Sequence, residues 1–372
     1  MNALGIIFSN IHNETIDELT RKRTSASIPF GGRYRLIDFA LSNLMSVDIT
    51  NVAVVAQKNY QSLMDHVGSG KDWDLSRRNG GLVIFPPYGN YKNSTNFESR
   101  LEALISIRGY IEKRQEEHVV LMDCDSANTV DLEDVLNKHI ENKADITIIY
   151  RHGKCPSDLE SHMNLEKMDE NGRVLKANLK SKGGTVTNSC INMWVFNRRL
   201  LQGLLSDAIS QGYESLHRDL VFANIKSLKV YGYEHKGVYL HVNSMENYFK
   251  YNMQLLEEDT REALFGDKNH RIYTKVKDSA PTKYGFDAKV ENSFIADGCE
   301  IEGTVINSIL FRGVKVGKGT VIKNCILMQD TITGSNVKLN YVVTDKNVSI
   351  RDRNNLSGCE KIPYYLSKNT MV

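Results

Sequence analysis

The stretch from Ile28 to Asn43 reads IPFGGRYRLIDFALSN. Pro29 and the Gly31-Gly32 pair signal a tight turn, because adjacent glycines reach backbone conformations closed to other residues and let a ligand approach the main chain. Arg33 and Arg35 stand beside that turn. A guanidinium is permanently charged and grips phosphate or carboxylate through two parallel hydrogen bonds, so this pairing suits an anion. Leu36, Ile37, Phe39, Ala40 and Leu41 then continue as an apolar run. On its own the stretch also reads as a turn entering a helix, with both arginines solvated.

Working outward, strand-like and helix-like segments alternate through the first two thirds of the chain. Apolar runs fall at residues 4–8, 52–56, 118–122 and 146–150, with helical stretches at 99–113 and 132–142 between them. This alternation predicts an α/β domain with a mostly parallel sheet, whose ligands bind beyond the carboxyl ends of the strands. Asn171-Gly172 marks a turn, and Lys182-Gly183-Gly184 a loop. Residues 246–262 read as one long helix before an irregular stretch at 265–281.

From about Ala288 helical periodicity disappears. Short β-branched segments recur with Gly, Asn, Asp and Ser between them, and Ile295 and Ile301, like Val316, Ile322 and Met328, are spaced by six. VGKGTVI from Val316 is a good hexapeptide unit, and ITGSNV from Ile332 a weaker one. Such a period predicts a parallel β-helix whose coils bury their aliphatics against each other. A sandwich of short strands is the alternative. The aliphatics of residues 306–311 read as exposed.

A length of 372 residues suggests two domains. A net charge of +2 gives no bulk reason to invoke nucleic acid or an anionic membrane. No apolar run approaches the roughly 20 residues that span a bilayer. The first residues, MNALGIIFSNIHNET, lack the basic flank and small-residue cleavage site of a signal peptide. The six cysteines show neither CxxC spacing nor disulfide density, so a reducing, cytoplasmic setting is expected.

FGGRYRLIDFALSN resembles the FGG-[KR]-[YF]-R-[LI]-IDF-[AP]-LSN segment of the ADP-glucose pyrophosphorylases, the glucose-1-phosphate adenylyltransferases of glycogen and starch synthesis. Similarity continues at lower density along almost the whole chain. The resemblance implies a Rossmann-like, GT-A-like nucleotidyltransferase domain over residues 1–262, a linker at 263–287 and a left-handed β-helix over 288–372. It also implies a reaction in which ATP and glucose 1-phosphate meet in line, with the phosphate charge neutralised by cations and carboxylate-held Mg²⁺.

Against the family's motifs the chemistry-bearing positions diverge. The triphosphate loop, GGxGTRL, aligns with residues 10–16, where no glycine remains, Glu14 adds negative charge and Thr15 replaces the arginine. The lysine of KRAKP falls on Ser25, with Arg21, Lys22 and Arg23 just before it. Asp123-Cys124-Asp125 follows the strand-like HVVLM, and the family's metal-binding aspartate aligns with Asp125. The second metal aspartate aligns with His241, a poor substitute because Mg²⁺ prefers charged oxygen. The adenine-side GTADA reads SRLEA from Ser99, and Gln57 matches a glutamine near the nucleotide. On the sugar-phosphate side Lys180 matches the lysine of EKP, while ASMGIYVF reads SCINMWVF, with Cys190 and Asn192 at the Ser and Gly positions.

The resemblance therefore implies a catalytically impaired, regulatory-type subunit. It would need no cofactor of its own and would partner a catalytic, Mg²⁺-using adenylyltransferase subunit, in a heterotetramer or besides a homo-oligomer. Arg33 and Arg35 would hold a small effector anion, and residues 288–372 with faces of the N-terminal domain would form the subunit contact. No nucleic acid or membrane partner is expected. A slow but active adenylyltransferase stays open. So does a nucleotide-sugar glycosyltransferase using Asp123 and Asp125 as an Asp-x-Asp metal motif. An acyltransferase comes last, since the repeats carry no clear catalytic histidine.

Overall fold

The computed structural model describes residues 2–9, 16–78, 80–87, 97, 99–154, 163–179 and 185–372. The chain divides into two compact units, neither contiguous in sequence. One comprises Met1–Ile11, Phe39–Cys124 and Asn128–Gly237; the other comprises His12–Asp38, Asp125–Ala127 and Val238–Val372.

The first unit is organised on a sheet. Strands β1 (Ala3–Phe8), β2 (Asn51–Val55), β3 (Gly81–Phe85) and β4 (His118–Asp123) run parallel in the order β3-β2-β1-β4. The others are β5 (Ile146–Lys154), the hairpin β6 (Asn164–Met168) and β7 (Val174–Asn178), β8 (Val186–Asn197) and β9 (Val230–Glu234), giving nine strands among the described residues. β8 runs antiparallel to both β4 and β5, and β9 is parallel to β5. The Asn171-Gly172 turn closes the β6–β7 hairpin, with Gly172 at φ 80°. Every residue of β1 is buried, as a near-continuous apolar run requires when helices cover both faces.

The helix expected at 99–113 is two, Arg100–Ser106 and Arg108–Glu112. Between them Ile107 leaves helical geometry at ψ 12°, and its N–H bonds the Leu104 carbonyl three residues back. Ile107 is buried at the break, as are Leu104 before it and Ile111 after it. The IDFALSN run forms Leu36–Met45, a helix apolar on most of its circumference and buried accordingly. Its polar residues serve the fold. Asp38 accepts the Arg35 N–H at 3.0 Å, and Asn43 donates to the Asn128 side chain at 3.0 Å while accepting the Val130 N–H at 3.1 Å.

The second unit holds the glycine turn and the repeats. Pro29–Phe30 and Tyr34–Arg35 make a two-stranded hairpin, with Gly31 and Gly32 at φ 58° and 82°. The helix expected over 246–262 is broken into Met245–Gln254 and Glu258–Phe265. Fully buried Leu255 turns inward at the break, so that a Cβ on Gly31 would meet its Cδ1 at 3.0 Å, and Glu257 is extended at ψ 132°.

From Lys283 onward three five-stranded parallel sheets stack strands of two or three residues into the left-handed β-helix. Glu300, Lys315, Ile332 and Ser349 align in register, so successive coils take 15, 17 and 17 residues. The corners use left-handed backbone. One column runs Asn292, Asn307, Asn324 and Tyr341, at φ 40–53°. Asparagine tolerates that region better than other non-glycine residues and adds hydrogen bonds between coils, as from Asn292 to Asn307 at 2.8 Å. The core is aliphatic, with Ile301, Val305, Val316, Ile322 and Leu327 fully or almost fully buried. Ile309, Leu310 and Phe311 are buried too, which corrects their reading as exposed: Leu310 belongs to the aliphatic core of the coils, whereas Ile309 faces Gly32 of the hairpin. Exposed apolar side chains include Tyr284, Phe286 and Val290 on the first coil and Ile332, Ile362, Tyr364 and Met371 further on.

No helix among the described residues is long and apolar enough to cross a membrane.

Candidate functional site

In the first unit Asp123 ends β4, the position at which parallel strands present ligands. Its carboxylate is closed off by Arg100. Arg100 Nε donates to Oδ1 at 3.0 Å, a second guanidinium nitrogen donates to Oδ2, and both side chains are buried. The guanidinium also lies 5.3 Å from the Trp194 ring centroid on β8. Arg100 is the second residue of SRLEA, whose Ser99 caps the helix by accepting the Glu102 N–H at 3.2 Å. Beside this pair, burial pushes the Cys190 thiol up to about 12, making it an inert packing group. Asn192 lies in a bulge of β8 with φ 57°, so asparagine keeps the left-handed backbone at the family's glycine position. Gln57 follows β2 and donates to the carbonyl of Phe97, which ties it to this chain's own backbone.

In the second unit Asp125 faces His241. His241 Nε2 lies 3.2 Å from Asp125 Oδ2, both side chains are buried, and the imidazole stacks on Tyr239 with centroids 5.8 Å apart. The Val242 N–H bonds the Asp125 carbonyl at 2.7 Å and locks the two segments in register. One carboxylate and one imidazole in mutual contact do not fit Mg²⁺, which takes hard oxygen donors in near-octahedral array. Among the described residues no three His, Cys, Asp or Glu side chains group as a metal site.

Ser25 is buried in the short turn Ser25–Ser27. The basic run before it divides by role. Arg21 is exposed and pairs with Asp17, whereas Arg23 is buried and pairs with Asp345 at 2.5 Å. Tyr365 completes this knot by donating towards Asp345 and the Glu18 carbonyl, at 3.1 and 2.8 Å. Thr15 and Lys180 lie outside the described residues.

The glycine hairpin leads to a concentration of positive charge. Arg33 is exposed, with its guanidinium 5.7 Å from the Tyr34 centroid, and Arg35 is half-buried. Burial, then the charges of Arg35 and Arg23, bring the Lys346 ammonium down to about 6, with Lys277 adding to the effect. Lys277 is itself lowered by partial burial and by Arg312 and Arg35, and Arg312 by burial and by Arg33. The charges of Arg33, Arg35, Lys277 and Arg312 thus bear on one another and, with Arg23, on Lys346. Arg33 and Tyr34 also line a cavity of about 510 Å³, where Tyr34 stacks on Phe265 at 5.1 Å and Arg261 lies 5.9 Å from the Phe294 centroid.

Two family models match the chain: the nucleotidyl transferase model over residues 15–258, and the GlmU-like C-terminal hexapeptide model over residues 280–359. A glycogen biosynthesis protein GlgD of Bacillus subtilis is 32% identical over 98% of this chain and 95% of its own length. GlgD of Geobacillus stearothermophilus is 35% identical over 86% and 82%. A glucose-1-phosphate adenylyltransferase of Clostridium botulinum, strain Eklund 17B, is 31% identical over 87% and 84%. The chain belongs to the nucleotidyl transferase family, among the GlgD proteins and glucose-1-phosphate adenylyltransferases. Within that family, sequence comparison finds the altered positions but misses what replaces the chemistry. Arg100 stands in a motif read only for its lost adenine contact, and no local signal marks Lys277, Arg312 and Lys346, which meet the hairpin through the β-helix register.

Proposed function

We propose that this chain acts in glycogen biosynthesis as a regulatory, catalytically impaired subunit of glucose-1-phosphate adenylyltransferase. It would be cytoplasmic and bound to a catalytic subunit that carries the Mg²⁺ chemistry, in a heterotetramer. The observation that carries this reading is the Arg100–Asp123 pair: both oxygens of the carboxylate ending β4 are engaged by a side chain of the same unit. His241 where a second metal carboxylate is expected supports it further. Phosphoryl transfer depends almost wholly on positioning and charge stabilisation, and removing one such contact typically costs about 10²–10³ in rate. The glycosyltransferase reading needs Asp123 for a cation, and that carboxylate already accepts two hydrogen bonds.

The regulatory half of the proposal rests on the cations. Arg33, Arg35, Lys277 and Arg312 crowd one another and hold Lys346 towards its neutral form, and a multiply charged anion relieves that repulsion. We assign the effector there, with Arg33 and Arg35 as the residues first marked by sequence. The test is a pyrophosphate-release assay on the purified chain, on a catalytic subunit and on both together. Turnover by the isolated chain should fall roughly a thousandfold or more below the catalytic subunit's, with the pair responding to effector differently from the catalytic subunit alone. Comparable turnover by the isolated chain would refute the impaired half. An effector response identical with and without this chain would refute the regulatory half.

A further inference from the structure

Within the second unit the coil register lines up a column of polar side chains. Leu310 pairs with Leu327, Leu327 with Thr344, and Thr344 with Leu366. Two residues further along each coil, Arg312, Gln329, Lys346 and Lys368 therefore stack, with about 4.8 Å between successive coils. Backbone bonds just past the column hold this stacking. The Asp330 N–H donates to the Arg312 carbonyl, the Asn347 N–H to that of Gln329 and the Asn369 N–H to that of Lys346, each at 3.0 Å. Lys277 joins from outside the coils, its ammonium donating to Gln329 Oε1 at 3.3 Å. A second amine is thus held one coil away from Lys346.

Lys346 has no counter-ion in this column. Among the described residues its Nζ makes no hydrogen bond or ion pair, and the residue is half-buried rather than sealed. The adjacent carboxylate, Asp345, is already engaged. It pairs with Arg23 and accepts the Tyr365 hydroxyl at 3.1 Å and the Lys346 backbone N–H at 2.7 Å. Burial first, then the charges of Arg35 and Arg23 and more weakly Lys277, favour the neutral amine, and Asp345 opposes them only in part. A neutral primary amine is a nucleophile, whereas an ordinary exposed lysine is protonated at neutral pH and is not.

We propose that Lys346 is a carbamylation site, where carbon dioxide converts the amine to a carbamate held by the surrounding cations, Lys277 and Arg35 among them. Nζ attacks the carbon of carbon dioxide, and an N–C bond forms as one C=O π pair moves onto oxygen. The nitrogen then loses a proton to water, so the step needs no other reactant. A group that its neighbours repel as a cation attracts them as an anion. The site shares cations with the proposed effector site but requires neither an effector nor a catalytic subunit, so either reading can fail without the other.

The experiment equilibrates the full-length chain with carbon-13-labelled carbon dioxide at pH 7.5 and reads carbamate by carbon-13 magnetic resonance. In parallel the carbamate is trapped by alkylation with a trialkyloxonium salt and located by peptide mass spectrometry. We expect a saturable carbamate resonance and a trapped adduct on the Lys346 peptide. The α-amino group, with an ordinary value near 8, gives a second resonance, which Lys346→Met should leave in place while removing the first. Lys277→Gln, at an exposed position, should lower the formation constant roughly threefold, on the scale of losing one solvent-exposed ionic contact. No adduct on the Lys346 peptide of the unaltered chain at saturating carbon dioxide would overturn the proposal, and that readout needs no variant to fold. A spectrum unchanged in Lys346→Met would overturn it equally. Full carbamate formation in Lys277→Gln would overturn the part assigned to Lys277.

Discussion

Arg100 changes the chemistry of a position without disturbing the fold around it. Its guanidinium spans Asp123 and rests on Trp194, so the arginine is supported on the side that does not meet the carboxylate. Removing one member of a buried ion pair leaves the other charged and uncompensated. We expect Arg100→Ala to lower unfolding free energy by about 3–5 kcal/mol in urea titrations, without creating adenylyltransferase activity. A rise in turnover would mean that Arg100 alone blocks catalysis. Lys346 makes a different prediction. With its amine near 6 it is largely neutral at pH 7.5, and an anion bound beside it favours the charged form. Anion binding should then take up a fraction of a proton, seen as a buffer-dependent enthalpy in calorimetry with sulfate, which exchanges no proton of its own in this range, and affinity should fall as pH rises from 6 to 8. Lys346→Met should abolish the uptake. Equal enthalpies in phosphate-free buffers of different ionisation heat would separate Lys346 from the anion site.

At the scale of elements, the helix Leu132–Glu141 and strand β4 meet through a neutral histidine pair. His118 and His139 pack edge to face at 5.0 Å, and His139 Nδ1 lies 2.8 Å from Thr147 Oγ1. Burial, with the neighbouring His118, brings His139 down to about 4. The unfolded chain takes up that proton near the ordinary value of 6.5, so stability is full above that pH and is lost progressively as pH falls from 6.5 towards 4. The loss should be on the order of 3 kcal/mol, and His139→Gln should flatten that part of the urea-midpoint profile. How far such elements could be read in advance depends on whether their cause is local. The alternation of apolar runs located β1, β2, β4 and β5 within a residue or two at their starts, because a strand buried on both faces must be apolar throughout. Six-residue spacing revealed the β-helix, because each coil needs inward aliphatics and corners of Asn, Gly or Asp. The breaks at Ile107 and Leu255 were not legible, since no proline marks either and Gly109, the one glycine near them, lies inside the second helix rather than at the break. The charge cluster was equally hidden: Arg35 and Lys346 are far apart in sequence and come together only through the coil register.

For the whole molecule, the make-up of the units changes how subunit contact must be tested. The expectation that residues 288–372 form the contact suggests deleting them, but Arg23, Glu18 and the glycine hairpin share a compact unit with those coils. Deletion would remove Asp345 and Tyr365 together and strand the buried Arg23 charge, so loss of binding would report unfolding as readily as lost contact. Substitution at the first coil avoids this. A β-helix ends in strands with unpaired backbone edges, and apolar side chains there have no further coil to cover them. At this end Tyr284 and Val290 are exposed, although their partners on the next coil, Ile301 and Val305, are buried, and Phe286 is completely exposed. A solvated phenylalanine at an open strand edge matches the aromatic anchors that dominate interfaces. Phe286→Ser with Tyr284→Ser should therefore leave the far-ultraviolet spectrum and melting cooperativity intact while weakening co-purification with a catalytic adenylyltransferase subunit by roughly tenfold or more, the loss typical of a central aromatic contact. The effector response conferred on the catalytic subunit should disappear in parallel. Full co-purification and full response in the folded double variant would remove the first coil from the subunit contact, and would direct attention to faces of the sheet-bearing unit.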